Sequence, residues 1–408
     1  MTPRPSHPGL RIAMIGQKGL PATFGGIEHH VEELGSRLVE RGHEVTVFCR
    51  PSYGEARCER YRGMRLLQLP TVGTKHLDAI VHSALATTVA MRSSFDILHY
   101  HAIGPGALAA LPRVASRARV VLTVHGLDDQ RAKWGLAART LLRTAGWLSA
   151  HVPDATIVVS RDLERHYRDV WRRHTLYIPN GVCTPAADSS DPVLDRFGLK
   201  AGHFLLFVGR LVPEKAPDLL TSAFRQVPGD HQLVLVGGSS FTDAYQELVR
   251  RLAADDPRVV LTGYLFGSEL ATLYRNAAAF VLPSSLEGLP LTLLEAASYG
   301  TPVVASAIAP HIEVLGESGP GGRLFAPGDR QQLVQVLTQV LANREAERQG
   351  AALLRERVLR AYNWDEAAAA TERAYLLALG RSSMLAWTRA PRASDRSRLD
   401  GGREAARS

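Results

Sequence analysis

Short runs of Val, Ile and Leu recur along the chain, separated by longer segments in which apolar residues return every three to four positions. The runs Arg11–Ile15, Val45–Cys49, Ile97–Tyr100, Val120–Val124 and Thr156–Val159 are too short for helices and nearly continuous in apolar character, as strands buried on both faces are. Between the first two, Ile27, Val31, Leu34 and Leu38 share one helical stripe, and Gly42 supplies a helix-ending residue. This is a βαβ unit. A second series follows in Phe204–Val208, Leu233–Val236, Val259–Leu261, Phe280–Leu282 and Val303–Ala305, with helical stretches such as Asp243–Ala254 and Glu269–Ala278 between them. The pattern predicts an α/β protein of two Rossmann-like, doubly wound domains facing each other across a cleft, where open α/β folds bind their ligands.

The break between the two series falls in Thr184–Gly202, where Pro185, Ser189, Ser190 and Pro192 make a linker-like stretch. The expected division is an N-terminal domain over 1–185, a C-terminal domain over 186–363, and a helix over 364–380 crossing back to the first domain. A disordered basic tail is expected over 381–408, where seven arginines stand without an apolar period.

Composition narrows the class. The 408 residues are 45% hydrophobic and 22% charged, which excludes wholesale disorder, and no uncharged apolar run reaches the roughly 18 residues of a membrane span. Cys49, Cys58 and Cys183 are odd in number and form no CxxC pair, so neither a disulfide framework nor a cysteine zinc site is expected. Met1–Gly9 carries Pro3, Pro5 and Pro8 and lacks the apolar core of a signal peptide. A cytoplasmic location is therefore expected. The net charge of +8 is unevenly placed, because residues 1–200 hold 26 basic and 18 acidic side chains while residues 201–408 hold 22 of each. That excess suits a face meeting phosphates, nucleic acid or an anionic membrane, or else it is a set of scattered solvated arginines.

Two segments of the second series carry candidate chemistry. Gly209-Arg210-Leu211-Val212-Pro213-Glu214-Lys215 sets a planar guanidinium and a mobile ammonium at the carboxyl end of a strand, a pairing suited to a diphosphate. The plainer alternative is two solvated cations. Pro283 to Glu295 follows the strand Phe280–Leu282; Gly288 and Pro290 keep Glu287 in the loop and leave only Glu295 in the helix that opens there. The backbone N–H groups and helix N-terminus of this turn suit anionic oxygens, and Glu295 could accept hydrogen bonds from vicinal hydroxyls. The alternative is a capping loop with a solvated Glu287 and a buried, paired Glu295. In the first domain, Gly25-Gly26 lets a ligand approach the backbone or simply makes a tight turn, and the glycines spell neither GxGxxG nor a P-loop.

The order and spacing of Arg210, Lys215 and the Glu287-x7-Glu295 loop resemble the signature of retaining glycosyltransferases of family 4, which have the two-domain GT-B fold. Gly19-Leu20-Pro21-Ala22-Thr23-Phe24-Gly25-Gly26 and Arg41-Gly42-His43-Glu44-Val45 are similar to the opening of these enzymes. The first of these is similar to a subgroup that includes bacterial rhamnosyltransferases of polysaccharide assembly. The resemblance, from about Arg11 to Leu379, implies transfer of a sugar from a nucleoside diphosphate sugar to a hydroxyl of a glycan or lipid-linked acceptor, with retention at the anomeric carbon.

It implies that Arg210 and Lys215 clamp the leaving diphosphate in place of a metal ion, that Glu287 lies by the donor sugar, and that Glu295 holds the ribose. His125 matches a histidine beside the donor sugar and its leaving phosphate. Gly209, Gly237, Tyr264, Leu265, Gly288, Leu289, Leu291 and Thr292, with Gly25 and Gly26, would line the donor site. One departure is Pro290, which stands where the common form has a glycine and bears on the amide contacts of Leu289, Leu291 and Thr292.

His30 and His101 are weaker expectations for the acceptor side. His29-His30 and His99-x-His101 lack a carboxylate or cysteine at ligand spacing, so no metal and no other cofactor is expected. The segment Leu136–Leu148 has apolar and basic faces, with Arg131, Lys133, Arg161, Arg165, Arg168, Arg172 and Arg173 nearby. It would either press on the inner face of an anionic membrane, as a peripheral protein does, or cover the sheet as an ordinary amphipathic helix. No helix-turn-helix or aromatic RNA-binding motif is present, and nucleic acid is not an expected partner. The rival readings are a nucleotide-sugar epimerase and a non-catalytic nucleotide-sugar-binding protein.

Overall fold

A computed structural model describes residues 9–23, 25–51, 53, 58–71, 78–127, 136–185, 192–238 and 243–382. Residues 383–408 of the expected tail, residues 186–191 of the linker, Arg131 and Lys133 lie outside these residues, as does the side chain of Arg139. The first domain is an eight-stranded sheet of β1 (Arg11–Ile15), β2 (Glu44–Cys49), β3 (Arg60–Tyr61), β4 (Met64–Gln68), β5 (Ile97–His101), β6 (Arg119–Val124), β7 (Ala155–Val158) and β8 (Leu176–Tyr177). Its order is β3-β4-β2-β1-β5-β6-β7-β8, and every pair except β3 with β4 is parallel.

The second domain is a six-stranded, all-parallel sheet of β9 (Phe204–Val208), β10 (Gln232–Val236), β11 (Val259–Gly263), β12 (Ala279–Leu282), β13 (Val303–Ser306) and β14 (Gly322–Phe325). It runs β11-β10-β9-β12-β13-β14. The strand order reverses between β1 and β5 in one sheet and between β9 and β12 in the other, and these are the crevices where open α/β sheets take ligands. The GT-B arrangement of two such domains is the one the sequence predicts.

All ten strands expected from apolar runs are present within one or two residues of their predicted ends. Four others, β3, β4, β8 and β14, lie at or next to sheet edges. Their one-sided or partial burial admits Arg60, Arg65 and Arg323, which break the continuous apolar signal.

The helix Trp364–Ala378 returns to the first domain. Its N-cap Asn363 accepts hydrogen bonds from the N–H groups of Asp365 and Glu366. Glu372 binds Arg41 and accepts from His43 Nε2 at 3.2 Å, Arg37 donates to Asp365 at 2.8 Å, and the Tyr375 hydroxyl lies 2.7 Å from His99 Nδ1. Trp364 seats against Gly181, where a Cβ would stand 2.3 Å from the Trp364 nitrogen. Among the described residues, no helix is long and apolar enough to cross a membrane.

Candidate functional site

The carboxyl ends of β9, β12 and β10 in the second domain and of β1, β5 and β6 in the first open on one cleft. On the second domain, β9 is buried throughout and delivers Gly209 and Arg210 to its rim, and a 3₁₀ turn over Pro213–Lys215 aims Lys215 inward. Lys215 Nζ lies 2.5 Å from Glu287 Oε1, whose own side chain is nearly enclosed. Burial alone would raise the Glu287 pKa, yet the Lys215 ammonium, with His311 behind it, holds the carboxyl below its ordinary value. Glu287 is thus an anion paired with a cation. Arg210 is 40% exposed and 3.8 Å from Glu214, so its fork is open to a ligand.

Two glycines let the loops close up. A Cβ on Gly237, whose φ is +134°, would lie 1.9 Å from the Gly209 carbonyl oxygen, and this close approach lets Gly209 N–H bond Val236 and Leu211 N–H bond Gly238. A Cβ on Gly288 would lie 1.7 Å from the His125 carbonyl oxygen of the other domain. The two walls therefore touch backbone to backbone at this point.

The helix Leu291–Ser298 begins at Pro290 with no side-chain cap, leaving its first amides for a ligand on the cleft side. Leu291 reaches across to the position of Gly26, and Thr292 Oγ1 is buried without a hydrogen-bond partner. Glu295 accepts from the Tyr274 hydroxyl at 3.0 Å and stands 4.0 Å from His29 Nε2. Burial raises its pKa, partly offset by His29 and Tyr274. Tyr264, 39% exposed, rests over Gly238 and stacks with Phe266 at 6.1 Å between ring centres, while the Leu265 side chain turns into the core. Leu289 is likewise buried, so these two leucines face the cleft only through their backbone.

On the first domain, Gly25 adopts φ +110° ahead of the helix Gly26–Glu40, and a Cβ there would lie 2.0 Å from Glu28. Glu28 instead accepts from the Lys18 backbone N–H at 2.8 Å. Burial lowers the Lys18 pKa, with Glu28 opposing and the charges of Arg50 and Arg210 adding to the lowering. Lys18 is a functional candidate the motif reading passed over. Its signal was present, a lysine three residues beyond β1 at a cleft-side strand end.

His30 and His101, expected on the acceptor side, are instead buried, because the first turn of the helix Gly26–Glu40 sets His30 against His101 and His125, and the returning helix closes over them with Trp364, 5.5 Å from His30 between ring centres, and with Tyr375 behind His99. They pack with His125, which keeps a partly exposed edge: ring centres are 4.6 Å apart for His30 and His125 and 5.5 Å for His101 and His125. His99 stacks behind at 4.3 Å from His101 and lies 2.7 Å from Thr123 Oγ1. Burial lowers the pKa of all four, His30 to about 4 and His99 to about 3, so each imidazole is neutral at pH 7. The sequence did not predict this cluster.

Residues 24–184 match the family model described as Glycosyltransferase Family 4, and residues 202–343 match that described as Glycosyl transferases group 1, one for each domain. The chain is 29% identical over 327 residues to the GDP-mannose-dependent alpha-(1-6)-phosphatidylinositol monomannoside mannosyltransferase of Mycolicibacterium smegmatis, covering 73% of this chain and 82% of that protein. Among solved structures, sucrose-phosphate synthase from Thermosynechococcus elongatus superposes with a TM-score of 0.80 at 25% identity, over 91% of this chain and all of that one. The Anabaena protein HepE in complex with UDP and glucose superposes with a TM-score of 0.75 at 17% identity, over 89% of this chain and 98% of that one.

Proposed function

We propose, from the premise that the chain is a GT-B glycosyltransferase acting with nucleotide-sugar donors, that it moves the sugar of a nucleoside diphosphate sugar to a hydroxyl with retention at the anomeric carbon, without a metal on the diphosphate. The observation that carries this reading is the pair Arg210 and Lys215 beyond the end of β9, with Lys215 bound to Glu287 four residues before the uncapped helix N-terminus at Leu291. These groups converge where a departing diphosphate gathers charge, and fixed donors aimed at developing charge usually supply the largest single share of the lowering of such barriers. Lys18 adds a third cation from the opposite wall.

In the reaction, the bond between the anomeric carbon and the diphosphate oxygen breaks as the acceptor oxygen bonds the same face of that carbon. The acceptor proton passes to the departing phosphate oxygen. Glu287, held ionised by Lys215, faces the sugar together with His125; Glu295 takes the ribose hydroxyls; Tyr264 lies along the base. The acceptor is a lipid-linked or polysaccharide glycan, and a deoxysugar such as rhamnose is the donor sugar suggested by the Gly19–Gly26 segment.

Exposed Arg143, Arg168 and Arg172 beside the half-exposed Trp147 support peripheral binding to an anionic membrane, although Asp169 offsets Arg168 at 2.8 Å. Neutralising Arg139, Arg143, Arg168 and Arg172 together should abolish binding to anionic liposomes. The named relatives are transferases and synthases, which disfavours the epimerase and sensor readings.

The deciding experiment screens UDP-, GDP- and dTDP-sugars by thermal shift, where a donor at 100 times its Kd stabilises by about 2.7 kcal/mol. The stabilising donor is then incubated with glycan acceptors, and the anomeric configuration of the product is read by NMR. An α-linked product from an α-linked donor, formed in EDTA, is expected. Inversion, or dependence on an added metal, would overturn the corresponding part of the proposal.

A further inference from the structure

We propose that His30, His101 and His125 form a three-imidazole site for one borderline divalent transition-metal ion, with Zn²⁺ as its probe. The three ligand nitrogens lie within 4.8 Å of one another, with the Trp364 ring packed against His30 at 5.5 Å between ring centres. Hydrogen bonds on the far sides of two rings turn their lone pairs inward. His30 Nδ1 lies 2.8 Å from Asn180 Oδ1, an acceptor, so the proton sits on Nδ1 and Nε2 carries the lone pair. His101 Nε2 lies 3.2 Å from Met14 Sδ, also an acceptor, which puts its proton there and leaves the Nδ1 lone pair toward His125 Nε2 at 3.3 Å.

This assignment leaves a deficit in the cluster. His30 Nε2 is buried and has no hydrogen-bond partner. A single N–H on His125 can satisfy the lone pair of His101 but leaves that of His30 unmet, at the cost buried unpaired acceptors carry. A cation coordinated by three nitrogens satisfies all of them at once. Tetrahedral Zn²⁺ with nitrogens at about 2.0–2.1 Å separates its ligands by about 3.4 Å, so His101 and His125 already stand at ligand spacing.

Nitrogen donors without carboxylates select Zn²⁺, Co²⁺, Ni²⁺ or Cu²⁺ over Mg²⁺ and Ca²⁺. The exposed edge of His125 leaves the fourth position to water or an anion from the cleft. The sequence hides this site because the three histidines come from a helix and two strand ends, 71 and 24 residues apart in the chain. One consequence rests on the function proposed above: an ion bound to His125 ties the ring that faces the donor sugar into the buried cluster, and Zn²⁺ should inhibit turnover.

The test is equilibrium dialysis of the EDTA-treated full chain against Zn²⁺, with the Co²⁺ form examined for the visible absorption of a tetrahedral site. One ion per chain is expected, with Zn²⁺ affinity lowered at least 100-fold by His30→Gln or His101→Asn and about 10–100-fold by Asn180→Ala, which removes only the bond orienting His30. Thermal unfolding of each metal-free variant verifies its fold; should His101→Asn unfold, His30→Gln and Asn180→Ala decide. Absence of stoichiometric binding to the wild type overturns the site. So does binding that survives His30→Gln but is lost in His231→Ala or Cys183→Ser, since His203 with His231, and Cys183 with Glu33, are other pairs of such ligands among the described residues. Zn²⁺ binding that persists in a chain lacking transferase activity overturns the proposed function and leaves the site standing.

Discussion

The cleft wall formed by the second domain carries formal charge on loops that follow their strands directly, whereas the opposite wall at His30, His101 and His125 is made of neutral, buried rings drawn from distant segments. Arg210 stands by Glu214 and half in solvent, and Glu287 is held ionised by its contact with Lys215. The imidazoles are kept neutral by desolvation, with the other rings of the cluster adding to it for His99, His101 and His125, and His29 for His30. A charged wall can meet the changing charge of a diphosphate. A neutral wall of fixed tautomers can hold geometry, and it can coordinate. The two walls divide these tasks within one cleft.

The sharpest way to break this contrast is to remove charge from one wall. Lys215→Ala should lower kcat/KM by about 10²–10³, about 2.7–4 kcal/mol by analogy with the loss of an oxyanion donor, while also leaving Glu287 unpaired. Steady-state kinetics beside a thermal unfolding curve tests this. Near-normal turnover would show that the charged wall is not where the reaction's charge develops. Gly288→Ala tests the contact between the walls, because the added Cβ must move about 1–2 Å off the His125 carbonyl. Displacement of that size in an active site can cost about 10²-fold, so kcat/KM should fall about that far.

The charged wall was legible in the sequence and the neutral one was not, for a physical reason. Arg210, Lys215, Glu287 and Glu295 stand on short segments next to predicted strands, so knowing that a strand ends at Val208 or Leu282 already places them at the cleft. His125 also follows a predicted strand, but its meeting with His30 and His101 comes only from the lateral order of the sheet, since β5 and β6 are neighbours and the first turn of the helix Gly26–Glu40 brings His30 to them. Hydrophobic periodicity reports which face of a helix is buried but not which strand it covers. For the same reason His30 and His101 read as acceptor contacts, and Lys18, which belongs to no local motif, was passed over.

Smaller effects sharpen the picture further. Glu372 anchors the returning helix to Arg41 and His43, and these partners hold its pKa at about 2, against an ordinary 4.5. A carboxylate with a lowered folded-state pKa stabilises above its unfolded value and loses that contribution as pH falls through the folded one. After discounting for the partly exposed Arg41, Glu372→Gln should cost about 1–2 kcal/mol near pH 7. The gap between wild type and variant in urea unfolding should close between about pH 4.5 and 2. A gap that persists at pH 2 would assign the loss to packing rather than charge.

The smallest effect belongs to the rim of the charged wall. Tyr264 presents an exposed ring stacked on Phe266 and braced by Gly238, an arrangement that offers an aromatic face to a planar base while asking little ordering of the ring. An aromatic pair of this kind contributes about 0.5–1.5 kcal/mol beyond area burial, so Tyr264→Ala should raise the donor KM about 2–13-fold and Tyr264→Phe should leave it near wild type. If Tyr264→Phe weakens the donor as much as Tyr264→Ala, the hydroxyl rather than the ring makes the contact. The rim would then bind as the charged loops below it do, by polar groups.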